Sequence, residues 1–318
     1  MKRRHFFIIP ILTIMTSALV FTQTPQSKAK PELVTAKDDV MSLSANVVSV
    51  PVSIVDREGR FASQLEKDNF EIYDDGVKQK IEMFSQEDAP LAIGIVYDLS
   101  GSMQSQRERA LATLGKFLES IHDEDEFFTV GISSKPSLLN DFTSDPKSIQ
   151  GNVAFIQSRG RTALFDGVYL ALEKIRQSKC PRRILIVISD GQDNNSRYAY
   201  RDLRNLVQET DVQLYAVGLS NIWGFNSEQM LQGRRILRDL TSLTAGEAIF
   251  TRDETEMASA FDRINATMRG QYNLSFAVAA TAHDGRWHKI KVRLVNTDVR
   301  AKDLVVRARP GYLAVKSD

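Results

Sequence analysis

Five oxygen-bearing residues stand where the chain could hold a cation. Asp98, Ser100 and Ser102 lie in "YDLSGSMQSQ", directly after an apolar run and at the start of a helical pattern. Asp190 closes a second apolar run in "VISDGQDNN", and Thr162 opens a helical pattern in "SRGRTALFDG". Carboxylates and hydroxyls are hard donors. They suit Mg²⁺ foremost, with Mn²⁺ or Ca²⁺ as alternatives. Hydroxyl ligands leave most of the ion's charge unneutralised, so such a centre would attract an anionic oxygen from outside. The rival reading is that Ser100 or Ser102 merely caps a helix. A cap accounts for one serine, but not for Asp98, Thr162 and Asp190 at matching places.

The elements that must position these residues follow from periodicity. "LAIGIVYD", "FFTVGIS", "RRILIVISD" and "VQLYAVGL" are continuous apolar runs, which suit strands buried on both faces. Between them "TALFDGVYLALEKIRQ", "YRDLRNLVQET", "RRILRDLTSLTAG" and "ETEMASAFDRINATMRG" read as helices, the third closed by Gly246. Met103 to Ile121 holds apolar residues at helical spacing. The expected fold class is α/β: a doubly wound, mostly parallel sheet with helices on both faces. In such sheets function gathers at the carboxyl ends of the strands, where Asp98 and Asp190 fall.

Both flanks are β in character. "VVSVPVSIVDREGR" alternates, "NFEIYDDGVKQKIEMFS" is a hairpin turning at Asp75-Gly76, and "QYNLSFAVAA", "HKIKVRLV" and "LVVRARPGYLAV" read as three strands. Each flank is small for an independent core. The expected arrangement is therefore a single antiparallel β-sandwich-like domain formed by both flanks, with the α/β domain inserted, and two separate β modules as the alternative. The boundaries read as 1–29, 30–46 (linker), 47–89 (N-terminal β segment), 90–268 (α/β domain) and 269–318 (C-terminal β segment).

Residues 1–29 have a basic start (Lys2, Arg3, Arg4) and an apolar stretch from Phe6 to Phe21, the anatomy of a signal peptide. A retained N-terminal anchor is the rival and would be the protein's one membrane attachment. The expectation is export, to the periplasm, the cell surface or the medium. The single cysteine, Cys180, leaves no internal disulfide and reads as a packing residue. The 318 residues carry 41 basic and 40 acidic side chains, a net charge of +1, which offers no electrostatic case for nucleic acid.

"DLSGSM" followed by "TALFDGV" and "VISDGQDN" resembles the von Willebrand factor type A domain over roughly residues 90–268. The resemblance implies a metal-ion-dependent adhesion site of the form Asp-x-Ser-x-Ser plus a distant Thr and Asp. Asp98, Ser100, Ser102, Thr162 and Asp190 match it in chain order. The flanks, "LEKDNFEIYDDGVKQKIEMFS" and "HDGRWHKIKVRL…VRARPGY", resemble a bacterial, acidobacterial-type VWFA-related family. One departure is Gly160-Arg161-Thr162, where type A domains often have Gly-Gly-Thr or Gly-Ser-Thr. Arg161 would either attract a carboxylate ligand or point into solvent.

Other residues are weighed against plainer roles. Asp193 either joins the site through water or orders its loop. Asp166, one turn after Thr162, either supports the site from behind or stabilises a helix N-terminus. Trp223 and Phe225 form an apolar rim for a partner or enter the core. His5, His122, His283 and His288 lack metal-ligand or catalytic spacing and read as structural or exposed. "HDEDE" at 122–126 lacks the length and glycine of an EF-hand.

The expected function is an exported interaction module that uses its metal to coordinate an Asp or Glu of another protein. No enzyme activity and no small-molecule substrate are expected. The competing enzyme reading is a Mg²⁺-dependent haloacid-dehalogenase-like phosphohydrolase with Asp98 as nucleophile. That chemistry wants an acid two residues on, and Ser100 is there instead. A third reading is a scaffold without a metal. Walker and dinucleotide loops are absent from the sequence, as is a Ser-His-Asp set near the metal edge.

Overall fold

A computed structural model describes residues 47–86, 89–101, 107–149, 160–219, 228–278, 284–295 and 304–314, with only the backbone at 107–109. The expected signal segment, Ser102, Trp223 and Phe225 lie outside the described residues.

The first strand is β1 (Val47–Val55), followed by β2 (Phe70–Asp74), β3 (Val77–Gln79) and β4 (Met83–Ser85). The α/β block runs β5 (Leu91–Asp98), α1 (Arg107–Glu119), β6 (Glu126–Ile132), β7 (Ser137–Thr143), α2 (Leu164–Ile175) and β8 (Arg182–Ser189). It continues through α3 (Tyr200–Glu209), β9 (Gln213–Leu219), α4 (Glu228–Ser242), β10 (Ala248–Thr251) and α5 (Glu254–Gly270). The chain then returns to β11 (Tyr272–Ala277), β12 (Trp287–Leu294), β13 (Val305–Ala308) and β14 (Gly311–Leu313).

The six-stranded sheet has the order β10-β9-β8-β5-β6-β7. All its pairings are parallel except β6 with β7. Every residue of β5 is buried, because both faces of the sheet are covered. Leu91, Ile93, Ile95 and Tyr97 pack with Leu114, Phe117, Phe261 and Ile264 of α1 and α5. Ala92 and Val96 pack on the opposite face with Val168, Leu172, Leu203 and Leu240 from α2, α3 and α4. A strand buried on both faces must be apolar at every position, hence the continuous run in the sequence. From β5 the chain first moves out to β6 and later returns to β8 on the other side. The topological switch point therefore lies between β5 and β8, where open α/β sheets place their ligands.

Two four-stranded antiparallel sheets accompany this block, in the orders β13-β1-β11-β4 and β14-β12-β2-β3. In each, strands from before and after the α/β block are neighbours: β1 pairs with β11 and β13, and β2 with β12. Val50, Val52, Ile54, Phe70, Ile72, Tyr272, Leu274 and Phe276 share one core between them. Glu247, just before β10, accepts two bonds from Arg307 of β13 at 2.5 and 2.6 Å, and also pairs with Arg263 of α5.

Three local expectations need correction. "LVVRARPGYLAV" is two strands in different sheets rather than one, divided at Arg309-Pro310, since proline offers no N–H to continue a ladder. The polar edge strand β7, "SLLNDFT", had no counterpart in the periodicity. After α4 the left-handed residue is Ala245 (φ 66°), not Gly246. Gly246 is required for another reason: a Cβ there would lie 1.8 Å from the Leu214 carbonyl oxygen.

Candidate metal centre

Asp98 ends β5 with no exposed surface. Its Oδ1 accepts the Ser100 N–H at 2.9 Å, and its Oδ2 accepts the Ser189 hydroxyl at 2.7 Å. The Ser100 hydroxyl also bonds to this carboxylate. Burial pushes the Asp98 carboxyl up to about 6. The bonds from Ser100 and Ser189 oppose the shift, and the nearby charge of Asp190 adds to it. Ser189 follows directly from the register. Tyr97 pairs with Ile188, so the next residues of the two strands, Asp98 and Ser189, meet at the switch point. The sequence reading missed Ser189. Its only signal was its place before Asp190 at a strand end.

Asp190 is 9% exposed. Its Oδ1 accepts the Gln192 N–H at 3.0 Å, and its Oδ2 accepts Gln192 Nε2 at 3.3 Å. Gly191 (φ 81°) then turns the chain, with its N–H on Ser189 Oγ at 3.0 Å. A Cβ on Gly191 would meet the Gly233 carbonyl oxygen of α4 at 2.4 Å. Backbone conformation and space therefore both demand glycine directly after Asp190.

Thr162 is buried, and the loop after Asp190 is fastened to it. Its N–H donates to Asn194 Oδ1 at 2.9 Å, and its carbonyl accepts the N–H groups of Asn194 and Asn195, each at 3.0 Å. Ala163 N–H bonds to the Ser133 carbonyl, and Leu99 N–H to the Ile132 carbonyl. The ends of β5, β6 and β8 and the start of α2 are thereby joined along one edge. Arg161 is exposed, with its N–H on Ser134 Oγ at 3.2 Å.

Asp193 and Asp166 both order this loop. Asp193 Oδ1 accepts from Phe165 N–H at 3.3 Å and from Ser196 Oγ at 2.5 Å, at the N-terminus of α2. Asp166 Oδ1 accepts the N–H groups of Arg197 and Tyr198 at 2.9 and 3.1 Å. The two carboxylates tie residues 193–198 to the first turn of the helix that carries Thr162 just ahead of it.

The donor set fits a hard divalent cation. Two carboxylates, Asp98 and Asp190, repel each other at a largely desolvated edge. Among the described side chains they accept only from neutral groups. A cation would relieve the repulsion and the cost of burial together. The residues expected to hold it are Asp98, Ser100, Thr162 and Asp190, together with Ser102, which lies outside the described residues.

A second cluster was not foreseen. His288 Nδ1 lies 3.0 Å from Asp75 Oδ2 and 3.7 Å from Asp74 Oδ1, and its Nε2 lies 3.3 Å from Asp284 Oδ1. The ligand atoms of Asp74, Asp75 and His288 lie within 4.8 Å of one another. Spacing along the chain could not show this, because the turn after β2 meets β12 only through sheet pairing. "HDEDE" is structural. Asp125 is buried, accepts the N–H groups of Leu91 and His122, and pairs with Arg269 at the end of α5.

Comparison with known proteins gives the following. Residues 93–192 match the model of the von Willebrand factor type A domain. An uncharacterised protein of Borreliella burgdorferi is 21% identical over 225 residues, 67% of this chain and 64% of that protein. This chain thus spans less than two thirds of that relative's length. Two solved structures are similar at 12% identity. One is the vWF domain of the type V pili tip protein Mfa5 from Porphyromonas gingivalis (57% of this chain, 96% of that one, TM-score 0.48). The other is a von Willebrand factor type A protein from Catenulispora acidiphila (85% and 74%, TM-score 0.48).

Proposed function

The chain carries a von Willebrand factor type A domain, and from that premise we propose that it is a metal-dependent protein-interaction module. The match to that domain supports an interaction role in general. The finer reading rests on one observation: the buried Asp98, with the Ser100 and Ser189 hydroxyls on its carboxylate, lies near Asp190 at the switch point. A divalent ion held there, Mg²⁺ foremost, would keep an electrophilic face toward solvent. An Asp or Glu of a partner protein would complete its coordination. Exposed Arg161, next in sequence to Thr162, would favour such an anion by charge.

The chain's own residues do the positioning. Ser189 and Ser100 orient Asp98, Gln192 orients Asp190, and Asp166 and Asp193 fix the loop between them. No group in this arrangement is assigned a proton-transfer role, so the proposal includes no catalysis. Residues 1–29 would direct export. Among the described residues no helix is long and apolar enough to cross a membrane.

The test is capture of partner proteins from the native envelope fraction in Mg²⁺ and in chelator. The expected result is a partner retained in Mg²⁺, released by chelator, and not retained by Asp98→Ala. A partner held equally in chelator and by Asp98→Ala would favour the scaffold reading.

A further inference from the structure

At the opposite edge of the six-stranded sheet, a cavity of about 420 Å³ lies where β8 and β9 begin and β1 and β11 pass beneath them. Its volume falls within the range of small-molecule sites, about 300–1,000 Å³. The walls combine apolar side chains such as Val212 and Leu243 with three guanidinium groups, Arg182, Arg183 and Arg309. Among the described residues the one carboxylate lining it, Asp211, is mostly exposed and already bonded to Arg309 at 3.0 Å. The described lining is therefore net cationic.

Two donors in this lining have no acceptor among the described residues. Gln213 is 6% exposed, and its Nε2 is buried with no hydrogen-bond partner among the described residues. Arg183 donates from one terminal nitrogen to the Ser178 carbonyl at 3.1 Å, while its Nε is buried without a partner among the described residues. Leaving such groups unsatisfied costs about 1–3 kcal/mol each, more when charged. Gln213 is in register with Ile184, the neighbour of Arg183, so the two donors leave opposite faces of the sheet, and an anion with several oxygens is needed to meet both. Guanidinium groups bind carboxylate and phosphate alike through paired N–H donors.

We propose that this cavity binds a small organic anion, a carboxylate or a phosphate ester, at a site separate from the metal edge. The site is about 23 Å from Ser189, from the rise of some 3.3 Å per residue along β8. It also touches the junction between the two parts of the fold. Arg182 holds the Met268 carbonyl at the end of α5 and Gln271 Oε1, and Gln271 in turn donates to Ser53 of β1 at 3.2 Å. An anion drawn to Arg182 would bear on the joint between α5 and β11.

The test is calorimetric titration of the full chain with citrate, with glycerol 3-phosphate and with uncharged glycerol. The expected result is saturable binding of one anion per chain and none of glycerol. Stronger binding of citrate would assign a carboxylate ligand, and stronger binding of glycerol 3-phosphate a phosphate ester. Arg183→Gln should weaken binding by about tenfold or more, the size of one lost charge-assisted hydrogen bond. Ala89→Phe, which fills the cavity from a partly exposed position, should abolish binding and decides the matter if Arg183→Gln misfolds. Asp98→Asn should leave binding unchanged. Neither anion binding saturably, or binding undiminished in both cavity variants, would overturn the proposal. So would loss of binding in Asp98→Asn alone, since the anion would then sit at the metal edge.

Discussion

The Ser189 hydroxyl donates to Asp98 Oδ2 at 2.7 Å while accepting the Gly191 N–H at 3.0 Å. One buried serine thus sets both the orientation of the first aspartate and the turn that follows the second. Ser189→Ala leaves a buried carboxylate oxygen and an N–H without this partner. A loss of about 1–3 kcal/mol is expected in urea unfolding of the metal-free protein. Removing a group that orients a metal ligand typically costs about 10–100-fold in metal affinity. Mg²⁺ or Mn²⁺ titration of Ser189→Ala should show such a loss with the stoichiometry unchanged.

Metal affinity should depend on pH through Asp98. Burial raises its carboxyl from 3.8 to about 6. A cation needs the ionised form, so apparent affinity should fall by about tenfold per pH unit below pH 6 and level off above it. Calorimetry between pH 5 and 8 checks this.

The same shift has a stability consequence. With the folded value above the unfolded one, the native state binds the extra proton. The stabilisation is complete below pH 3.8 and is lost as pH rises through about 6. Asp98→Asn should therefore stabilise the metal-free protein at pH 7–8, by on the order of 3 kcal/mol, and confer little below pH 4. Saturating Mg²⁺ should reverse the order at pH 7, because only wild type gains from the ion. Thermal unfolding at the two pH values, with and without Mg²⁺, reads both effects.

Gly191→Ala should destroy the site without touching a ligand. Alanine is strained at φ 81°, and its Cβ would press against the Gly233 carbonyl 2.4 Å away. A left-handed non-glycine residue alone costs about 1–2 kcal/mol, and the contact adds to it. Metal binding should be lost while far-ultraviolet circular dichroism persists.

Asp125 and Arg269 join the start of β5 to the end of α5. Asp125 is buried and Arg269 largely so. Breaking such a pair by Asp125→Ala should cost about 3–5 kcal/mol, since a charge is left buried. Hydrogen exchange should report the loss first in the last turn of α5.

Much of this was legible in the chain because it depends on local pattern. The apolar run 91–98 announces a strand covered on both faces, and Asp75-Gly76, with φ values of 46° and 86°, turns the hairpin as its residue types require. Asp98, Thr162 and Asp190 could be picked out because each sits at a strand end or helix start. What the sequence hid depends on partners remote in the chain. Ser189 matters only because β8 lies beside β5, and His288 meets Asp74 and Asp75 only through the pairing of β12 with β2. The edge strand β7 is partly exposed and carries polar residues, so no apolar run marks it. The anion cavity is lined from several separate segments, so no stretch of sequence displays it.

The most direct test of the metal centre is Mn²⁺ titration of wild type, Asp98→Ala, Asp190→Ala and His288→Ala side by side. We expect one ion bound by wild type and by His288→Ala, and none by either aspartate variant. Equal binding in both aspartate variants, with loss in His288→Ala, would place the ion at the His288 cluster and contradict the account.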